Sequence, residues 1–312
     1  MVMLNTENEY GIGIDIGGTK TLLALVEQNG TIKRQIQFET MPQQGAEVII
    51  ALIAENVEKL IASIPEGGKL KGIGICSAGV IDPQELSIVY ANNLNWHNVK
   101  IGAILQERFE IPVLLGNDAN LAAVAEYVWG TNKQAKHLIY VTVSTGIGSG
   151  IISDGQLIQG VSASAGEFGH ITVDPRGERC GCGNVGCLEN YCSGTALARL
   201  ANERLAAPQQ GAWTSKMLLE QASAGDVQAQ ELLKEAAFYL GNGIVTMIHL
   251  FNPTQIIFGG GVMSEDNLLY HYMLDVIKER ALPDMLKHVS LSRTELGKEI
   301  AVLGAAGMFF MD

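Results

Sequence analysis

Apolar and polar positions follow two different periods along this chain of 312 residues. Short apolar runs bounded by glycine or Asx turns predict strands at residues 10–15, 21–26, 72–76, 112–115, 137–144, 151–152 and 255–258. Longer stretches with apolar residues at helical spacing predict helices at residues 46–63, 101–109, 118–129, 193–205, 214–222, 226–248 and 267–281, with a last helix near residue 303. Strands that alternate with helices are typical of α/β layers.

A pattern of strand, glycine-rich turn, strand and Asx-Gly turn occurs twice. The first copy covers residues 10–30 and ends at Asn29-Gly30. The second begins at residue 137, passes through the glycine-rich residues 145–150 and ends at Asp154-Gly155. The repeat predicts two related lobes.

Charge and the apolar stretches narrow the possible classes of protein. The chain has 33 acidic and 21 basic residues, a net charge of −12, and no Lys/Arg cluster, so duplex nucleic acid is not an expected partner. Residues 1–10 lack the basic and apolar regions of a secretory signal. Residues 236–251 are apolar but interrupted by Gly241 and Gly243, which favours a buried helix over a membrane span. We therefore expect a cytoplasmic, reducing environment.

Three cysteines and a histidine have the composition of a zinc site. A tetrahedral zinc ion takes four Cys and His ligands, and the candidates are His170, Cys180, Cys182 and Cys187. Glycines between the cysteines favour a tight metal knuckle. Unpaired thiols or disulfides are the alternative, which a reducing environment disfavours. A structural zinc here would hold Glu167 and Glu189 beside each other, as a site for a polyhydroxylated ligand requires.

The turn between the first two strands could bind phosphate. The motif Asp15-Ile-Gly17-Gly18-Thr19-Lys20 has neither the spacing of a P-loop nor that of a dinucleotide fingerprint. Its backbone N–H groups could approach an anion, and Asp15 could hold hydrated Mg²⁺. Such hairpins also occur without any ligand.

Two later glycine turns have the same ambiguity. Thr145-Gly146 repeats the first turn, and the two turns could hold opposite sides of a polyphosphate in a cleft between the lobes. The glycines at residues 259–261 follow an apolar strand, where a purine or ribose could lie against the backbone. A tight connection from strand to helix is the alternative for that run.

Asn117 and Asp118 follow a predicted strand and open a predicted helix. The simple interpretation is helix capping. Asp118 could also act as a general base while Asn117 orients the same substrate. The two roles are compatible, and phosphoryl transfer needs little more than an oriented nucleophile, Mg²⁺ and charge stabilisation.

Together these motifs resemble the ROK family (repressors, open reading frames and sugar kinases) over nearly the whole chain. The most specific part is Glu167-x-x-His170 followed by Cys180-x-Cys182-Gly-x-x-Gly-Cys187-x-Glu189. The resemblance implies a two-lobed actin-like (ribonuclease H-like) α/β ATPase fold with a zinc-binding insertion in the larger lobe. We expect a smaller lobe of residues 1–117 plus 299–312 and a larger lobe of residues 118–298.

The resemblance also implies an ATP-dependent kinase that phosphorylates a hexose at the 6-hydroxyl, with Asp118 as the base and structural zinc. Asp15 would help position Mg²⁺, and Gly260 would lie near the adenosine. The residues that would face the phosphates are Gly17, Gly18, Thr19, Lys20, Thr145 and Gly146. Those that would hold the sugar beside Asp118 are Ser77, Gly79, Asn117, Glu167, His170 and Glu189. Asn92, Asn93 and Trp96 either tune sugar specificity or form an ordinary loop.

The family resemblance indicates the class of sugar and the type of assembly, but not the particular sugar. Glucose is favoured, with N-acetylglucosamine and N-acetylmannosamine as alternatives. A sugar-sensing repressor would carry an additional amino-terminal helix-turn-helix domain, for which we expect no room before the strand at Tyr10. A binding protein without turnover would lack Asp15, Gly18 or Asp118, and all three are present. The family implies a homodimer or a dimer of dimers.

Overall fold

A computed structural model describes residues 8–131, 133–208, 211–263 and 266–312. Contacts divide the chain into two units. The first comprises residues 1–136, 154–165 and 295–312, and the second comprises residues 137–153 and 166–294. Residues 1–7, which contributed to the expectation of no secretory signal, lie outside the described residues.

The predicted strands and helices are present, together with strands at residues 32–39, 80–82, 87–91, 96–99, 156–157 and 290–293 that were not predicted. The strands are β1 (Glu9–Ile16), β2 (Lys20–Glu27), β3 (Ile32–Glu39), β4 (Lys69–Ser77), β5 (Val80–Asp82), β6 (Ser87–Ala91), β7 (Trp96–Val99), β8 (Val113–Gly116), β9 (Leu138–Val143), β10 (Ile147–Ser153), β11 (Gln156–Leu157), β12 (Gln255–Gly259) and β13 (Ser290–Arg293). The α-helices are α1 (Ala46–Ile61), α2 (Ile101–Phe109), α3 (Asp118–Ala125), α4 (Glu189–Cys192), α5 (Gly194–Arg204), α6 (Ser215–Ser223), α7 (Val227–Phe251), α8 (Leu268–Arg280), α9 (Pro283–Leu286) and α10 (Ile300–Gly307).

A five-stranded sheet in the order β3-β2-β1-β4-β8 forms the centre of the first unit. β1 pairs antiparallel with β2 and parallel with β4, which in turn pairs parallel with β8. Alternate residues of β2 contribute to different cores: Leu23 joins the core with α1 and α2, whereas Ala24 joins the core with α10. Because successive side chains of a strand point to opposite faces, this sheet is covered by helices on both sides.

Helix α10 lies directly on this sheet because glycines remove the side chains beneath it. A Cβ atom on Gly13 would lie 1.9 Å from the Val302 carbonyl oxygen, and one on Gly74 would lie 1.9 Å from that of Ala305. The helix also meets α3 closely, because a Cβ atom on Gly304 would lie 1.8 Å from the Leu121 carbonyl oxygen. This packing keeps α3 and α10 in one unit.

The sheet of the second unit repeats the arrangement of β1, β2 and β4. β9 pairs antiparallel with β10 and parallel with β12, and β12 pairs parallel with β13. The long helix α7 packs against α8. The repeat predicted from the two glycine turns is therefore confirmed as a repeat of strand topology.

Several boundaries differ from the sequence predictions. The helix predicted to reach Trp129 ends as an α-helix at Ala125 and continues as a π-helical turn over Glu126–Gly130. β3 was not predicted, because its side chains are mostly polar and none is fully buried. The lobe boundary predicted at 117/118 stays a prediction, and the division by contacts places α3 on the first-unit side. Within the described residues, no helix has the length and apolar character needed to span a membrane.

Candidate active site

Two carboxylates lie at the carboxyl edge of the sheet in the first unit. Asp15 is the penultimate residue of β1, and Asp118 begins α3 directly after β8. Cys76, in register with Asp15 on the parallel neighbour β4, is fully buried and contacts the Asp15 carboxylate. β4 lies between β1, which carries Asp15, and β8, which leads to Asp118. The charges of Asp15 and Asp118 are close enough to interact. An edge with two nearby carboxylates suits a cation and a base.

Burial sets the electrostatics of these acids. Desolvation first, and the negative charge of Asp118 second, raise the pKa of Asp15 to about 6, against opposing effects of Lys20 and Cys76. Desolvation also raises the pKa of Asp118, although its side chain remains accessible to solvent. A hydrogen bond of 2.9 Å from the Ala119 N–H to Asp118 Oδ1 opposes that rise. A solvent-accessible carboxylate with a raised pKa is a stronger proton acceptor than an ordinary aspartate.

Protonation of Asp15 is expected to stabilise the metal-free protein. The pKa of about 6 lies above the ordinary value of 3.8, so the native state binds a proton that the unfolded chain releases. The free energy of unfolding should therefore fall as pH rises from about 4 through about 6, by up to about 3 kcal/mol from this group. Urea unfolding at several pH values would measure the difference between wild type and Asp15→Asn. A difference that does not change across this window would contradict the prediction.

Asn117 and Asp118 combine capping with an open carboxylate. The Asn117 side chain caps α3 by accepting a hydrogen bond of 2.8 Å from the Asn120 N–H. The capping interpretation is thereby confirmed for Asn117, and Asp118 Oδ2 has no hydrogen-bond partner among the described residues. One Asp118 oxygen therefore remains available for a substrate.

The turn between β1 and β2 is covered by the segment that follows β6. The Gly17 N–H donates to the Lys20 carbonyl over 3.0 Å, which closes the turn, and Thr19 and Lys20 are exposed. A Cβ atom on Gly18 would lie 2.8 Å from the Asn93 carbonyl oxygen. The residues at 92–94 thus form part of the surface around this turn.

Ser77 and Gly79 lie at the end of β4 in the same unit. Ser77 is fully buried and donates to the Ala78 carbonyl over 3.2 Å. Gly79 has a φ of +108° and passes so close to β6 that a Cβ atom would lie 2.2 Å from the Tyr90 carbonyl oxygen. Trp96 is buried, and its indole N–H has no hydrogen-bond partner among the described residues. It is therefore a core residue of the first unit and not part of an exposed loop.

In the second unit, the turn between β9 and β10 lies at the start of α5. The Gly194 N–H donates to the Ser144 carbonyl over 2.7 Å, and the Thr195 N–H donates to the Thr145 carbonyl over 3.3 Å. A cavity of about 500 Å³ opens beside this turn. It is lined by Ser144, Thr145, Gly194, Thr195, Ala198, Trp213, Thr214, Ser215, Gly261 and Val262.

Most of these lining residues were not predicted from the sequence. Trp213 and Thr214 precede α6 and reach the cavity only because α6 packs against α5. Ser215, Gly261 and Val262 also line an adjoining cavity of about 370 Å³. Gly260, the predicted adenosine contact, directly precedes Gly261 and takes a φ of +87°. The two cavities form a groove of suitable size for a nucleotide within the second unit.

The four predicted zinc ligands converge. Their ligand atoms all lie within 4.8 Å of one another. Cys182 Sγ lies 3.6 Å from Cys187 Sγ, and Cys180 Sγ lies 3.8 Å from His170 Nδ1. Tetrahedral ligands at the usual zinc–sulfur distance of about 2.3 Å are separated by about 3.8 Å. The geometry therefore fits a zinc ion, and the cysteines are free thiols and not disulfides.

The backbone around the cluster forms the tight turn that such a site needs. The Gly183 N–H donates to the Cys180 carbonyl over 2.9 Å, and the Cys180 N–H donates to the Asn184 carbonyl over 2.8 Å. Gly186 has a φ of +68°, and a Cβ atom there would lie 1.6 Å from the Asp174 carbonyl oxygen. Burial raises the pKa of the Cys187 thiol to about 12, so a bound cation would be required to ionise it near neutral pH.

Three of the polar residues predicted to hold the sugar belong to this cluster or lie next to it along the chain: Glu167, His170 and Glu189. His170 Nδ1 faces Cys180, while His170 Nε2 lies 3.9 Å from Glu167 Oε2. The two ring nitrogens are thus available for separate partners. Glu189, two residues beyond Cys187, accepts a hydrogen bond of 2.9 Å from the Ile147 N–H through Oε2. The second unit therefore groups Glu167, His170 and Glu189, whereas Asp15, Asn117 and Asp118 belong to the first.

Comparison with known proteins identifies the family. The model of the ROK family matches residues 11–311. This chain belongs to the ROK family. The prediction of the family is thereby confirmed, together with its α/β actin-like kinase fold.

Relatives of this ROK-family chain include enzymes and regulators. A glucokinase of Halalkalibacterium halodurans is 32% identical over 95% of this chain and 94% of its own length. A xylose repressor of Bacillus spizizenii is 31% identical over 99% of this chain and 79% of its own. A glucokinase from Streptomyces griseus, solved in complex with glucose and AMPPNP, is 32% identical to this chain, and the two structures superpose with a TM-score of 0.72. The match covers 96% of this chain and 98% of the glucokinase chain. The family and its glucokinase relatives identify an ATP-dependent sugar kinase.

Proposed function

We propose that this chain transfers the γ-phosphoryl group of ATP to the 6-hydroxyl of a hexose, with glucose favoured over other hexoses and with Asp118 as the general base. The observation that supports it best is the placement of Asp118, an accessible carboxylate with a raised pKa beside a second acid. Phosphoryl transfer requires such a base to accept the proton of the attacking hydroxyl.

The proposed reaction exchanges one phosphorus–oxygen bond for another and passes one proton to solvent. The sugar O6 forms a bond to the γ-phosphorus while the bond from that phosphorus to the β–γ bridging oxygen breaks, and ADP leaves. Asp118 accepts the hydroxyl proton and later releases it to solvent. Mg²⁺, when bound, would neutralise charge on the phosphates, and Asp15 is the carboxylate that would help to hold it.

The remaining predicted residues divide between the two units. In the first unit, Asn117, Ser77 and Gly79 would contact the sugar, and the turn at residues 17–20 would contact phosphate. In the second unit, Thr145 lines the groove that would take the nucleotide, and Gly146 and Gly260 are the chain neighbours of the lining residues Thr145 and Gly261. Glu167, His170 and Glu189 would hold sugar hydroxyls on a scaffold that the Cys₃His cluster, loaded with structural zinc, makes rigid. A homodimer, or a dimer of dimers, and a cytoplasmic location stay predictions.

A panel of sugars tests the proposal. Purified protein with Mg-ATP should release ADP strongly with glucose and weakly with mannose, fructose and allose. N-acetylglucosamine and N-acetylmannosamine belong in the panel because a pocket that admits an N-acetyl group can share every residue named above, and a preference for either would identify the alternative substrate. Xylose is the control for the repressor relatives, since its pyranose ring has no 6-hydroxyl. Sugar binding by calorimetry with no ADP release from any sugar would contradict the kinase proposal and favour a sensor.

A further inference from the structure

Glu189 contacts the turn that would bind phosphate. Its Oε2 atom accepts the Ile147 N–H over 2.9 Å, and this N–H is the first of β10. The carboxylate also lies beside the preceding residue, since a Cβ atom on Gly146 would be 2.5 Å from Glu189 Oε2. Glycine at position 146 is thus what lets the carboxylate reach the backbone of the turn.

Backbone hydrogen bonds also restrain the turn, and one of them runs from the Thr195 N–H to the Thr145 carbonyl over 3.3 Å. The Ser144 N–H donates to the Gly146 carbonyl over 2.9 Å, and the Ser144 carbonyl accepts from Gly194 at the start of α5. Ser144 and Thr145 are exposed at the cavity of about 500 Å³. Loss of the Glu189 contact would leave the partly buried Ile147 N–H without its partner, and the turn would lose a restraint on the side nearest the zinc cluster.

The other side of Glu189 belongs to the zinc-binding segment. The Leu188 N–H donates to the Ile171 carbonyl over 3.0 Å, and Cys187 forms a β-bridge with Thr172. These bonds tie Glu189 to the backbone that directly follows His170. Among the described residues, Glu189 Oε1 has no hydrogen-bond partner, so one oxygen holds the turn while the other is available.

We propose that Glu189 is a positioning residue for the phosphate-binding turn in addition to its predicted role toward the sugar. Through this side chain the segment of the zinc ligands helps to hold the Thr145-Gly146 backbone in the geometry that accepts a nucleotide. Nucleotide affinity should therefore depend on Glu189 even when no sugar is present. The inference rests on the proposed function only in taking this turn as the phosphate site.

Two conservative variants separate acceptor position from charge. Glu189→Gln retains a carbonyl oxygen at the same reach and loses the charge. Glu189→Asp retains the charge and withdraws both oxygens by one methylene from the Ile147 N–H. The affinity for AMPPNP is measured by calorimetry without sugar, together with the melting temperature and zinc content of each variant. Glu231→Gln is the matched control, because the Glu231 carboxylate is exposed on α7 and pairs with Lys234.

We expect Glu189→Asp to weaken AMPPNP binding by about tenfold, the usual effect of losing a hydrogen bond to a charged acceptor. Glu189→Gln should stay within about twofold of wild type, since an amide oxygen also accepts an N–H. Glu231→Gln should not change AMPPNP affinity. Normal binding by the Asp variant, or a loss in the Gln variant that equals or exceeds it, would overturn the inference. Since no sugar is added, neither result depends on whether the wild type phosphorylates glucose, which the sugar panel decides.

Discussion

Replacing Asp118 with asparagine is expected to lower turnover by about 10² to 10⁴-fold, the usual contribution of a general base. The variant removes the proton acceptor, and with it the negative charge that raises the pKa of Asp15. Asparagine keeps an oxygen that can accept the Ala119 N–H, which now donates to Asp118 Oδ1 over 2.9 Å. The start of α3 should therefore be unchanged, and sugar affinity should stay within a small factor of wild type.

Two quantities are measured for each variant: the rate of ADP release at saturating substrate concentrations, and the sugar affinity by calorimetry. Asp82→Asn is the matched control, because Asp82 Oδ1 also accepts backbone N–H groups, from Gln84 and Glu85 at 2.9 and 3.0 Å. That variant should retain full turnover. Near-normal turnover in Asp118→Asn would place the base elsewhere and leave Asp118 as part of the helix start.

Replacing Cys182 with serine is expected to abolish zinc binding and to lower the melting temperature by about 10 °C, because a structural zinc ion contributes directly to folding. Cys182 is the informative ligand, since its side chain is exposed while those of Cys180 and Cys187 are buried. A serine at an exposed position normally changes stability by less than about 0.5 kcal/mol. A large loss would therefore report the missing metal bond and not a packing defect.

Metal analysis and thermal unfolding of the purified variant provide the measurements. Cys192→Ser is the control: this thiol is buried, donates to the Leu188 carbonyl over 3.3 Å and lies outside the four-residue cluster. It should keep about one zinc per chain, although burial of a hydroxyl could reduce its stability slightly. Unchanged stability of Cys182→Ser, with wild-type protein shown to contain zinc, would contradict a structural role for the metal.

Much of the fold and of the candidate site could be predicted from local patterns. The helix predicted at residues 101–109 matches α2, because apolar spacing and caps are properties of the segment itself. The four zinc ligands were found for a similar reason: a histidine, a Cys-x-Cys pair ten residues later and a third cysteine five residues after that pair can reach a common ion through short turns. β3 escaped prediction because a polar edge strand lacks the apolar alternation by which strands are recognised.

Residue type and spacing along the chain determined the motifs: the two glycine turns, the acids after strand ends, and the Cys₃His set. Tertiary structure alone decided which of these meet. Cys76 touches Asp15 because parallel pairing sets β4 in register with β1. Glu189 reaches the Ile147 N–H, 42 residues away along the chain, because the zinc-binding segment returns to the end of the β9–β10 hairpin. Such long-range contacts depend on how sheets and turns pack, and no local pattern in the sequence encodes that packing.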